Sequence, residues 1–90
     1  MIKLKDPTLF RTENYINGKW VGGSGRHIEV LNPANGTLLA KTVDGNADDA
    51  CDAVEAAATA FKTWSKVPAK ERATYLRRWC ELILENADDL

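Results

Sequence analysis

Two Asn-Gly pairs constrain what this chain can fold into more than any other feature of its sequence. The first lies in the segment YINGKWV at residues 15–21, and the second closes the segment NPANG at residues 32–36. Asn and Gly accept the positive φ angles that tight hairpin turns require, and apolar-rich segments flank both pairs. Strands are therefore expected over residues 15–43, arranged either as two hairpins or as one small meander.

The second half of the chain begins with the spacing of an amphipathic helix. Apolar residues recur there every three or four positions, so that they form one stripe along a helix. The members of this stripe are Ala47, Ala50, Cys51, Val54, Ala57, Ala58, Phe61 and Trp64. Asn46 is a suitable N-cap residue, and the aspartates after it complement the positive end of the helix dipole. A helix is predicted over residues 46–65.

Pro68 ends that segment and can open a second helix, which is predicted over residues 68–86. Its apolar stripe consists of Ala69, Ala73, Leu76, Trp79, Cys80, Ile83, Leu84 and Ala87. Asn86 is expected to end the helix in the left-handed conformation that asparagine tolerates. The acidic residues that follow suit the first turn of a further helix, so residues 87–90 are interpreted as the start of a truncated helix. On this interpretation the 90 residues are a fragment.

The composition excludes several classes of function. Twelve Lys and Arg against 13 Asp and Glu leave a net charge of −1, which provides no positive surplus for binding nucleic acid. No apolar run approaches the roughly 20 residues of a membrane span, and residues 1–14, a leader ahead of the first strand, lack the pattern of a secretory signal. Two cysteines make neither a disulfide framework nor a zinc site. A soluble protein of the cytoplasm is predicted.

The features that could carry chemistry are better explained as structure. Residues 22–26 (GGSGR) are rich in glycine but precede a strand and not a helix, so they are interpreted as a loop and not as a phosphate-binding motif. Cys51 and Cys80 lie on the apolar stripes and are expected to be small core residues. His27 is expected at the surface or at a strand edge. The three tryptophans are expected to be packing anchors: Trp20, Trp64 and Trp79. No catalytic, cofactor-binding or metal-binding residue is predicted.

Four segments occur in an order and spacing that are specific when taken together. They are YINGKW at residues 15–20, NPANG at residues 32–36, the alanine-rich helix that closes on Phe61 and Trp64, and ERA with LRRW at residues 71–79. From about Leu9 to Leu90 the chain resembles the N-terminal segment of the NAD(P)-dependent aldehyde dehydrogenases. The leader, with LKD and LFR, is further similar to the succinate-semialdehyde and glutarate-semialdehyde dehydrogenases of that family.

The resemblance implies an α/β fold class. The chain is expected to be an N-terminal fragment of a Rossmann-like cofactor domain, in which β-hairpins are followed by two amphipathic helices. Family members oxidise aldehydes to acids. A cysteine thiolate adds to the aldehyde, hydride passes to NAD or NADP, and water activated by a glutamate hydrolyses the thioester. Those residues and the cofactor loop lie beyond the part that this chain resembles, so the fragment is expected neither to bind the cofactor nor to catalyse.

Two hypotheses of different class remain. In the first, the chain is part of an aldehyde dehydrogenase that oxidises succinate semialdehyde to succinate or glutarate semialdehyde to glutarate. Its partners would be the remainder of its own chain and further subunits of a dimer or tetramer, with no nucleic acid and no membrane. In the second, the chain is a free-standing, non-enzymatic binding or self-assembly module that covers its apolar stripes by self-association.

Overall fold

The computed structural model describes residues 2–22 and 25–90, in which short strands are followed by two helices. The elements are a 3₁₀ turn at Pro7–Leu9, strands β1 (Asn14–Ile16), β2 (Lys19–Val21), β3 (His27–Leu31) and β4 (Leu38–Val43), and helices α1 (Ala47–Trp64) and α2 (Ala69–Glu85). The expected β-hairpins and the two expected helices are thus present, in the expected order.

The strands form two separate antiparallel hairpins and not a meander. In the first hairpin Tyr15 lies opposite Trp20, and the connecting residues Asn17 and Gly18 have φ angles of 52° and 74°. Both values are positive, as a type I′ turn requires. In the second hairpin β3 pairs with β4, and the Gly36 φ angle of 74° supplies the left-handed corner of the turn. Both Asn-Gly pairs therefore form the chain reversals that the sequence predicts.

Helix α1 begins at the residue that the sequence indicates. The Asn46 side chain accepts a hydrogen bond from the Asp49 N–H at 3.0 Å, and the Asp49 carboxylate accepts one from the Asn46 N–H at 2.8 Å. This reciprocal capping box pairs two of the N–H groups that a helix start otherwise leaves without partners.

Helix α2 ends differently from the prediction. Asn86 has a φ angle of −111° and is not left-handed. Its side-chain amide instead donates to the Leu82 carbonyl at 2.8 Å, and the same carbonyl accepts the Asn86 backbone N–H at 3.1 Å. Residues 86–89 form a turn, in which the Asp89 N–H donates to the Asn86 carbonyl at 3.0 Å.

The described residues form an open arrangement in which none is buried. The radius of gyration is 16.6 Å, compared with about 12 Å for a compact domain of this length. The shortest dimension is 19 Å and the longest is 48 Å. The chain therefore has well-formed secondary structure, but its apolar side chains do not close over one another.

Candidate functional site

Within residues 2–22 and 25–90, the two cysteines and the histidine lie on three different elements. Cys51 lies on α1 and Cys80 on α2, and both are exposed free thiols. The expectation that they are core residues is wrong for this structure, because nothing among the described residues covers the stripes on which they lie. His27 is exposed at the start of β3, as the sequence predicts. Across residues 2–22 and 25–90, no group of His, Cys, Asp and Glu could hold a metal ion.

The glycine-rich segment does not form a dinucleotide-binding loop in its described part. Gly25 has a φ angle of 84°, and its N–H donates to the Gly22 carbonyl at 3.4 Å. Residues 23–24 lie outside the described residues, so the loop expected there is described only at its ends. Strand β3 follows at His27, whereas a dinucleotide site needs a helix N-terminus at this point. The described ends of the segment therefore lead into a strand and lack the helix N-terminus that a pyrophosphate site needs.

The helix N-termini do not fit a pyrophosphate either. Asp48 and Asp49 lie in the first turn of α1, where their negative charge would repel a phosphate group. The Asp49 N–H is already bonded to the Asn46 side chain. Helix α2 follows Pro68 and carries Glu71 in its first turn. Both helix starts therefore carry acidic side chains where the phosphates of a cofactor would have to lie.

Helix α1 meets the first hairpin through a face other than the predicted stripe. Strand β1 packs against α1, and the half-buried residues near this contact include Ile16, Ala53 and Ala56. An open groove of about 610 Å³ between the hairpin and the helix is lined in part by Ile16, Ala56 and Ala60. These alanines lie roughly 120° around the helix from the predicted stripe. The sequence contains a signal for this second face, since alanine recurs at positions 53, 56 and 60. The predicted stripe contains the larger apolar residues, and the alanine face was not predicted.

The predicted stripe of α1 remains open. Val54 is 67% exposed and Phe61 is 65% exposed. Trp64, at the end of the helix, meets Tyr75 of α2 with a distance of 5.8 Å between the ring centroids. One end of the stripe thus has an aromatic contact, while most of its length has no cover in the described part of the chain.

Helix α2 carries a still wider apolar surface, which we call the α2 apolar face. It consists of Leu76, Trp79, Cys80, Ile83 and Leu84, and all five side chains belong to exposed residues. Trp79 is 63% exposed and Leu84 is 71% exposed. Exposed apolar surface of this kind is characteristic of an interface, because single soluble domains rarely leave large contiguous apolar patches in water.

The tryptophans only partly act as packing anchors. Trp20 contacts Tyr15 across the first hairpin at 4.9 Å between ring centroids, and the Arg11 guanidinium lies 4.8 Å from the Trp20 ring. Trp64 has the contact with Tyr75 described above. Trp79 lies on the open α2 apolar face. Trp20 and Trp64 thus each contact one other ring but stay about two-fifths exposed, and Trp79 is exposed for the same reason as Cys80.

The polar contacts gather where the leader meets the end of the chain. The Asp89 carboxylate accepts hydrogen bonds from the Lys5 N–H at 2.8 Å and from the Asp6 N–H at 3.0 Å. Asp6 in turn accepts bonds from the Thr8 hydroxyl and the Thr8 N–H. These two bonds hold the pKa of Asp6 below its ordinary value because they favour the charged carboxylate, and the bond from the Thr8 hydroxyl has the larger effect. The leader is thus anchored by specific hydrogen bonds and not by a buried core.

The geometry is that of two hairpins and two helices with open apolar faces, and three comparisons with known proteins identify the family that has this fold. Residues 20–90 match the aldehyde dehydrogenase family. The chain is 47% identical to 3-sulfolactaldehyde dehydrogenase of Pseudomonas putida over all of its length, and 44% identical to the NADP(+) succinate-semialdehyde dehydrogenase of Escherichia coli over 99% of it. A crystal structure of an aldehyde dehydrogenase from Brucella melitensis superposes on 99% of the chain with a TM-score of 0.94 and 39% sequence identity.

These matches define the class as the aldehyde dehydrogenases. The chain belongs to this family, and its two hairpins and two helices have the fold of the N-terminal segment of such enzymes. It spans 19% of the length of each of the two curated relatives and of the solved structure. In the described part of the chain, neither helix is long and apolar enough to cross a membrane.

Proposed function

We propose that the whole protein containing these residues, called the full-length subunit below, is an NAD(P)-dependent aldehyde dehydrogenase for aldehydes with an acid group at the opposite end. Two relatives support this substrate class. One is named for succinate semialdehyde, which ends in a carboxylate, and the other for 3-sulfolactaldehyde, which ends in a sulfonate. Succinate semialdehyde, oxidised to succinate, is the first candidate, and glutarate semialdehyde, oxidised to glutarate, is the second.

The segment itself serves as scaffold in this proposal. The observation that carries the proposal is the α2 apolar face, which is open in a chain that spans only 19% of the length of its relatives. The remainder of the same subunit is its occupant, because it would supply most of the polypeptide and is covalently attached to the segment. An intramolecular partner covers such a face without the loss of translational freedom that a separate molecule would have to overcome.

The catalytic and cofactor-binding groups lie outside this segment in the proposal. The helix N-termini and the glycine-rich segment do not fit the cofactor, and the two thiols lie on apolar stripes and not beside a base. The 90 residues alone are therefore inactive. The full-length subunit binds NAD or NADP, assembles as a dimer or tetramer, and works in the cytoplasm, where free thiols such as Cys51 and Cys80 stay reduced.

The substrate is tested by measuring the reduction of NAD and of NADP by the purified full-length subunit. We expect kcat/KM for succinate semialdehyde to exceed kcat/KM for butanal by at least about a hundredfold. Butanal has a methyl group in place of the carboxylate of succinate semialdehyde. Glutarate semialdehyde, measured in parallel, separates the two candidate substrates. Equal values for butanal and for both semialdehydes would contradict the proposed substrate class.

The scaffold role is tested on the purified 90-residue chain. We expect no aldehyde-dependent cofactor reduction, and strong binding of an apolar fluorescent dye to the open faces. The competing hypothesis of a self-assembly module predicts a single defined oligomer by sedimentation velocity with little dye binding, because self-association would cover the faces. A single defined oligomer with little dye binding would contradict the scaffold proposal and support the self-assembly module.

A further inference from the structure

The leader contains two backbone N–H groups that its own turn cannot use. Pro7 starts the 3₁₀ turn, and the N–H groups of Thr8, Leu9 and Phe10 all donate to acceptors within residues 6–7. The N–H groups of Lys5 and Asp6 come before the turn and donate to an acceptor outside it.

Asp89 supplies that partner from the other end of the chain. One oxygen of its carboxylate accepts from the Lys5 N–H at 2.8 Å and the other accepts from the Asp6 N–H at 3.0 Å. Asp89 is one of the half-buried residues of this open chain, and its own N–H donates to the Asn86 carbonyl. Hydrogen bonds to an ionised acceptor are roughly twice as strong as neutral ones. The turn at residues 86–89 thus presents a carboxylate fitted to the leader.

The adjacent ion pair is a weaker contact. The Lys5 ammonium pairs with the Asp88 carboxylate, but the two side chains are 75% and 77% exposed. Ion pairs at this level of exposure contribute little because water screens them. Asp89, and not Asp88, therefore holds the leader.

The far end of the leader is held by β4. The Thr12 carbonyl accepts a hydrogen bond from the Val43 N–H at 2.9 Å. Between the two attachments, the leader and β4 line a half-open, mostly apolar cavity of about 460 Å³, formed by Ile2, Lys3, Leu4, Pro7, Phe10 and Leu39. The leader therefore spans from the end of α2 to β4 and covers apolar surface on the way.

We propose that residues 2–12 form a strap and that the Asp89 carboxylate is its latch. The latch couples the end of α2 to the second hairpin. A shift of the turn at residues 86–89 removes the acceptor of two N–H groups at once, which frees this end of the strap and widens the half-open cavity that the strap lines. This inference rests on the contacts of the leader and is independent of the proposed activity.

The latch is tested by amide hydrogen exchange in the full-length subunit, measured by mass spectrometry on peptides covering residues 2–12. We expect Asp89→Ala to raise the exchange rate of the Lys5 and Asp6 amides about tenfold. Asp89→Asn, which keeps the shape and one acceptor oxygen, is expected to raise it about threefold, and this variant is decisive if Asp89→Ala fails to fold.

Two controls separate the latch from the ion pair and from a general loss of charge. Asp88→Asn and Lys5→Ala break the ion pair but leave the backbone donors and Asp89 in place, so exchange of the leader should change less than twofold. Asp48→Asn removes an exposed aspartate from α1 and should leave the leader unchanged. Unaltered exchange in Asp89→Asn, or equal release by Asp88→Asn, would overturn the proposal.

Discussion

Helices α1 and α2 have similar lengths and each carries an apolar stripe, yet they have different surroundings. Helix α1 has 18 residues, a capping box at its start and strand β1 packed against its alanine face. Helix α2 has 17 residues, no side-chain cap at Pro68 and a broad apolar face open to water. An apolar stripe on a helix therefore indicates that this face of the helix is to be covered. It does not indicate which part of the protein covers it.

The same contrast separates the two halves of the molecule. The hairpin turns, the start of α1 and the leader are determined by contacts between the described residues. The α2 apolar face has its partners elsewhere in our account.

The largest effect is expected at Trp79. In the full-length subunit Trp79→Ala should lower the free energy of unfolding by about 3–5 kcal/mol, because it leaves a cavity where the remainder of the subunit covers α2. In the 90-residue chain the same change should alter helicity, measured by far-UV circular dichroism, very little, since Trp79 is exposed there. If Trp79→Ala left the free energy of unfolding of the full-length subunit unchanged, the α2 apolar face would not be covered there and the contrast between the helices would be lost.

The turn of the first hairpin should show a smaller but purely local effect. Gly18 has a φ angle of 74°, which a residue with a Cβ atom adopts only with strain. We expect Gly18→Ala to cost about 1–2 kcal/mol in chemical denaturation of the full-length subunit. Gly22→Ala is the matched control, because among the described residues an added Cβ there meets only the Glu13 side chain, at 4.0 Å. A similar loss of stability in Gly18→Ala and Gly22→Ala would show that the turn conformation of Gly18 is not the cause of the loss.

The helix starts should respond in different ways. Asn46→Ala removes the capping box of α1 and should cost about 1 kcal/mol in the same assay. Pro68→Ser would give α2 a capping residue three positions before Glu71, but it also removes the rigidity of proline. The net change should stay within about 0.5 kcal/mol. If Asn46→Ala left the free energy of unfolding unchanged, the capping box would not be what stabilises the start of α1.

The smallest effect is the pH dependence of the leader. The pKa of Asp6 is lower in the folded chain than its ordinary value of 3.8, so the stability it contributes is present above that value and is lost as the pH falls through the folded pKa. A carbon-13 NMR titration of the Asp6 carboxyl group measures this directly. Thr8→Ala removes the larger of the two causes and should bring the pKa back toward 3.8. An unchanged pKa in that variant would contradict the assignment.

The sequence predicts the parts of the fold that short-range chemistry determines. Asn17-Gly18 and Asn35-Gly36 mark the two turns, and Asn46 marks the start of α1, because in each case the residue type itself supplies the conformation or the hydrogen bond. The family resemblance, carried by four spaced segments, is confirmed by identity to known enzymes along the chain.

The errors all concern contacts that periodicity cannot specify. Cys51 and Cys80 were expected in a core because they lie on apolar stripes, but a stripe is buried only where a partner covers it. Asn86 was expected to be left-handed, whereas its side chain bonds back to Leu82. The bonds of Asp89 to the leader span more than 80 positions, and no local pattern indicates them.

The central claim is that the α2 apolar face becomes interior surface in the full-length subunit, and the Cys80 thiol tests it most directly. Its rate of alkylation is measured in the native full-length subunit and in the 90-residue chain, with the labelled peptide identified by mass spectrometry. We expect rapid labelling of Cys80 in the 90-residue chain and at least about a hundredfold protection in the full-length subunit. Equal labelling rates in the two proteins would show that the face stays open and would contradict the account.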